Sequence, residues 1–136
     1  MTAEMVGSDP DADVAVFNAN QILSPLDLKA EPSGAGLFYG QEVFFLGFPF
    51  GWKGDAPTVM NGFPIPFAKR ATVSMFDFAN NDGWMYLDGI NNEGFSGGPV
   101  GYQVGNSNEW QIAGVIVAYH AVKDHLELND QPTDFS

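Results

Sequence analysis

A chain of 136 residues with 17 acidic side chains against 5 basic ones, net charge −12, has too few cations to neutralise a nucleic-acid backbone or to dock on an anionic bilayer. No apolar run approaches the ~18 residues of a membrane span, and the opening Met-Thr-Ala-Glu has neither the basic leader nor the apolar stretch of a signal peptide. With no cysteine, disulfides, thiolate catalysis and cysteine-bound zinc drop out together, while redox compartment and cellular location stay open. The plain reading of the acidity is solubility through self-repulsion.

Taken in chain order, short β segments alternate with Gly, Pro, Asn and Asp clusters, which predicts an all-β barrel or sandwich. Residues 13–17 (Asp-Val-Ala-Val-Phe) read as a buried strand. Residues 18–39, with Ser24-Pro25 and Pro32-Ser33-Gly34-Ala35-Gly36, read as a surface connection. Residues 41–47 are a strand that ends in a turn at Phe48-Pro49-Phe50-Gly51, and a loop punctuated by Asn61-Gly62, Pro64 and Pro66 covers 52–68. A strand over 69–78 returns as Trp84–Leu87 through Asn80-Asn81-Asp82-Gly83, where Asn and Gly tolerate the positive φ of a hairpin turn. Pro99–Val104 pairs with Trp110–Ala118 through Asn106-Ser107-Asn108, and Trp110–Ala118 is the strongest strand signal in the chain. Residues 121–128 read as a weak helix, and 120–136 hold no β run.

The chemistry concentrates at Gly94-Phe95-Ser96-Gly97-Gly98-Pro99. A serine hydroxyl becomes a useful nucleophile when a base takes its proton and donors hold the oxyanion that follows. Glycines on both sides permit tight backbone dihedrals and a close approach by a substrate carbonyl. A run of Gly and Ser can also be a plain turn, but Gly-X-Ser-Gly-Gly-Pro between two β segments is far more specific. The acidic triplet Asp9, Asp11, Asp13 resembles the opening of an EF-hand loop. It fails at Val14, where glycine is needed, and at Asn20, where a bidentate Glu belongs, so no metal and no cofactor is expected.

Gly94–Val100 followed by Ile112–Val117 resembles the nucleophile hairpin of trypsin-like (chymotrypsin-fold) serine peptidases, of the bacterial cysteine-free type near the HtrA and glutamyl-endopeptidase groups. Two more stretches resemble the family in the expected order. Gly40–Pro49 is similar to the Gly-x-x-Val-x-x-x-Gly-x-Pro strand that opens the second barrel, and Asp9–Val16 to the Asp-x-Asp-x-Ala segment whose last Asp is the triad acid. The resemblance implies Ser96 as nucleophile, the backbone N–H groups of Gly94 and Ser96 as the oxyanion hole, and Asp13 orienting a histidine base. It also implies a substrate pocket between Ile90–Glu93 and Val117–Tyr119. There Ile90 stands at the floor where trypsin-type enzymes place an acid, Asn91 and Val117 line the walls, and Tyr119 narrows the entrance. Asp13 has a second reading as a turn residue before a strand.

The family's histidine lies upstream of the acid, and none of the 12 residues before Asp13 is His. The two histidines, His120 and His125, both follow Ser96 and are expected at the pocket rim and on the helix. On this reading residues 1–17 carry the last strand of a first barrel, 18–39 the interbarrel linker, 40–120 an incomplete C-terminal barrel and 121–136 a tail. The chain is then the Asp–Ser portion of a serine endopeptidase acting on a peptide or protein, inactive alone, a fragment whose missing barrel or a partner covers its open edges. The other reading is a non-catalytic protease-like domain that binds peptides in the same cleft.

Overall fold

A computed structural model describes residues 2–20, 30–55, 63–79 and 83–118, and the strand backbones at 124–128 and 131–135. It is all-β: among the described residues the only helical turn is a single 3-10 turn at Pro49–Gly51. Five strands, β4 (Glu42–Gly47), β5 (Phe67–Asp77), β6 (Trp84–Asp88), β7 (Pro99–Gln103) and β8 (Trp110–Val115), form an antiparallel sheet in the order β8-β7-β4-β5-β6. A two-residue strand, β3 (Glu31–Pro32), adds in parallel to the outer edge of β8. Before this sheet comes a hairpin of β1 (Ala3–Asp9) and β2 (Val14–Ala19). After it come β9 (Asp124–Leu128) and β10 (Gln131–Phe135), paired only with each other.

Period-two alternation builds the core. Val43 and Phe45 on β4, Ala71 and Val73 on β5, and Val100 and Tyr102 on β7 turn inward, and Phe95 joins them from the loop before β7. One extra residue, Ser74 on β5 and Ala113 on β8, interrupts the register at two places. Such bulges bend and twist a strand, and the sheet curls into a half-barrel. Buried Tyr102 fastens residues 33–35 across the sheet: its hydroxyl donates to the Ala35 carbonyl at 2.7 Å, with the Gln111 side-chain amide at 2.7 Å and the Ser33 carbonyl at 3.1 Å. Gln41, the one buried polar side chain among the described residues, is satisfied at both ends, donating to the Gln103 carbonyl and accepting from the Phe38 N–H.

Among the described residues the curled sheet stays open between β6 and the β8–β3 edge. Among the described residues seven hydrophobic side chains are buried, whereas sixteen large ones remain exposed. The concave face is therefore an apolar cleft of about 820 Å³ between Trp84–Leu87 on one edge and Ala113–Ala118 on the other. Trp110–Val115, the most strand-like run in the sequence, is at most half-buried: Ala113 packs against the core, while Trp110 and Val115 at its ends are exposed.

Five sequence expectations need correction. Residues 3–9 form a strand that alternation did not announce, since Ala-Glu-Met-Val-Gly-Ser-Asp is exposed along its whole length. The buried strand expected at 13–17 is instead Val14–Ala19, one arm of that hairpin and mostly exposed, with Val16 and Phe17 open to solvent and Asp13 in the turn before it. The connection over 18–39 contains β3. Residues 124–128 form a strand where a helix was expected, which also places His125 on a strand, and β10 follows where no β run was expected. Leu126 and Leu128 are two apart, a strand period, and eight residues are too few to separate that period from a helical one. The turn at Asn80–Asp82 lies outside the described residues, but its flanks pair as expected, Asp77 opposite Trp84.

Candidate functional site

Ser96 sits in the loop between β6 and β7, and close backbone contact with the end of β4 fixes that loop. Gly94 has φ 101°, open only to glycine, and a Cβ there would overlap the Phe48 carbonyl oxygen. A Cβ on Gly98 would overlap the Leu46 carbonyl oxygen. The Phe48 N–H donates to the Gly94 carbonyl at 2.8 Å, and the Phe50 N–H to the Glu93 carbonyl at 3.3 Å. At the other end, the Gly97 N–H donates to the Ile116 carbonyl at 2.7 Å and the Ile116 N–H to the Gly98 carbonyl at 2.9 Å.

Between these two tethers the side chains divide. Phe95 points inward, with no exposed surface, and packs edge-on to Phe45 at 5.1 Å. Lys69, half-buried on β5, places its ammonium 5.0 Å from the Phe95 ring centroid and donates to the Asn92 side-chain carbonyl. Ser96 points outward and is exposed. Among the described residues the N–H groups of Gly94 and Ser96 have no acceptor, which leaves both free for an incoming oxygen.

Asp13 lies in the turn joining β1 to β2, at φ 54°, a conformation Asp tolerates better than most residues. Its N–H donates to the Pro10 carbonyl at 3.4 Å, while Asp9 caps the turn, accepting from the N–H groups of Asp11 and Ala12. The Asp13 carboxylate is exposed and has no partner among the described residues. Across from it stands Ser96: the two residues line one cleft of about 370 Å³, walled by Val14–Phe17 and Val115–Val117.

Of the other expected site residues, Val117 lines both clefts and Asn91 the larger one. Ile90 is 79% exposed and lines neither. Tyr119 and His120 lie outside the described residues, as does the side chain of His125. Sequence reasoning passed over Lys69, Asn92 and the inward role of Phe95. The chemistry of Lys69 depends on a contact with residues 92 and 95 that only the folded sheet creates. Among the described residues no cluster of three His, Asp or Glu is arranged to hold a metal ion. Compared with known proteins, the chain matches no family model, no curated protein and no solved structure.

Proposed function

We propose that this chain is the Asp–Ser portion of a serine endopeptidase of the trypsin-like, chymotrypsin-fold kind, its five-strand curled sheet an incomplete second barrel. The observation that carries the reading is the pairing of an outward Ser96, flanked by two free N–H groups on a glycine-locked loop, with Asp13 across one cleft. In the reaction, Ser96 Oγ attacks the peptide carbonyl as its proton passes to a histidine seated between Ser96 and Asp13. The oxyanion rests on the N–H groups of Gly94 and Ser96. The C–N bond then breaks, the histidine protonates the departing amine, and water later frees the acyl group from Ser96. That histidine belongs to a first barrel, of which β1–β2 is the last hairpin, supplied by another stretch of chain or by a partner. A strand inserted between β6 and β8 would close the second barrel and cover its open edges.

The experiment is peptide hydrolysis by the protein together with its histidine-bearing barrel. Ser96→Ala is expected to abolish turnover, and Asp13→Asn to lower kcat by about 10⁴-fold through a misoriented base. Full activity in Ser96→Ala would refute the assignment. Peptide binding without any turnover would favour the second reading, a protease-like domain that uses the apolar cleft for recognition alone.

A further inference from the structure

Beside the serine loop stands a pair of aromatic rings that the peptidase chemistry does not use. Phe50 is 62% exposed and Trp52 64% exposed, with their rings in edge contact at 6.0 Å. Phe50 also adopts φ 54°, a left-handed conformation unfavourable for a bulky side chain and kept only where its surroundings impose it. The imposition is visible. Gly51 N–H donates to the Phe48 carbonyl at 3.0 Å and Trp52 N–H to the Pro49 carbonyl at 2.9 Å, while Gly54 and Ile65 exchange N–H···O bonds of 2.9 and 2.8 Å behind the turn. An exposed, strained and braced aromatic pair has no role in the core. Rigid aromatic rings that lose little entropy on contact are the usual anchors of a binding surface.

The position of the pair says what it meets. The leading limb of the serine loop, Glu93–Gly94, is hydrogen-bonded to Phe50 and Phe48, and the trailing limb, Gly97–Gly98, to Ile116 at the cleft. The serine loop therefore runs from the turn that carries the aromatic pair to the Val115–Val117 cleft, which Ser96 itself lines. Resting on the peptidase reading of Ser96, we propose that Phe50 and Trp52 form a subsite for one aromatic or branched apolar side chain of the peptide substrate. That side chain follows the reacting carbonyl, on the side away from Val115–Val117. Exposed Glu93 beside the pair and the net charge of −12 disfavour acidic residues in that part of the peptide.

The test uses the full chain carrying Ser96→Ala, so that nothing is turned over, and two blocked neutral hexapeptides that differ only in Phe or Gly after the reacting carbonyl. Calorimetry is expected to show the Phe peptide binding about tenfold more tightly. Trp52→Ala and Phe50→Gly should each erase that preference and leave the Gly peptide unaffected. Glycine adopts φ 54° without strain, so Phe50→Gly is also expected to hold or raise the melting temperature, as a binding residue kept at a cost to stability would. Equal binding of the two peptides, or a preference that survives both substitutions, overturns the subsite and leaves the Ser96 reading standing. A lowered melting temperature in Phe50→Gly makes Phe50 structural and overturns it as well. A change of oligomeric state in Trp52→Ala, seen by sedimentation, would make the pair an interface between copies instead. If neither peptide binds, substrate recognition fails along with the subsite, and covalent labelling of Ser96 reports separately on the nucleophile.

Discussion

Phe95 and Ser96 are neighbours on one glycine-rich loop, one sealed in the core and the other turned to solvent. Their substitutions should separate cleanly. Phe95→Ala removes the ring that Phe45 and Lys69 pack against, and should cost about 3–5 kcal/mol in urea unfolding. Ser96→Ala should shift the unfolding free energy by no more than about 0.5 kcal/mol. Gly98→Ala forces a methyl group into the Leu46 carbonyl oxygen and should destabilise by about 2 kcal/mol or more, although alanine is otherwise the milder residue. Lys69→Met keeps the aliphatic stem but loses the hydrogen bond to Asn92 and the charge over Phe95. A loss of about 1 kcal/mol is expected, with faster amide exchange confined to residues 91–96. Equal exchange in the two proteins would mean that Lys69 does not hold the loop.

At the scale of elements, the strands whose alternation is clearest, β4 and β5, are those with one buried face. Glu42–Gly47 and Phe67–Asp77 alternate because Val43, Phe45, Ala71 and Val73 enter the core while Glu42 and Thr72 face out. Strand β1 was illegible because neither of its faces is buried here, so no alternation had to be kept. At the site, the motif singled out Ser96 and Gly94 and the family resemblance pointed to Asp13, and Ser96 and Asp13 do line one cleft. Lys69 and the Phe50–Trp52 pair were not legible, since their meaning comes from strand pairing and an unusual φ. The join between residues 33–35 and the sheet combines the Ser33 N–H bond to the Ile112 carbonyl with the Tyr102 hydroxyl, which no local pattern discloses. Tyr102→Phe should cost about 1–3 kcal/mol and raise amide exchange at Ser33–Leu37, measured by mass spectrometry.

The molecule as a whole is a sheet that curls without closing, preceded by a hairpin whose Met5, Val6, Val16 and Phe17 are all more than half exposed. Among the described residues β6 has an unpaired edge and β8 is covered only where two-residue β3 reaches it, and such edges over an apolar concave face are what natural proteins normally cover. The chain alone should therefore bind a hydrophobic dye and self-associate as its concentration rises, and on the proposed peptidase reading a histidine-bearing first barrel added to it should suppress both. A monomer with no dye binding at high concentration would mean that the open face is already satisfied. The central claim, that Ser96 is an activated nucleophile once its base is in place, is tested most directly by a peptidyl phosphonate. With the histidine-bearing barrel present, intact-mass and peptide mapping should find one adduct per chain, on Ser96, absent in Ser96→Ala and slowed in Asp13→Asn. An unlabelled Ser96 under those conditions, or an adduct on another residue, would contradict it.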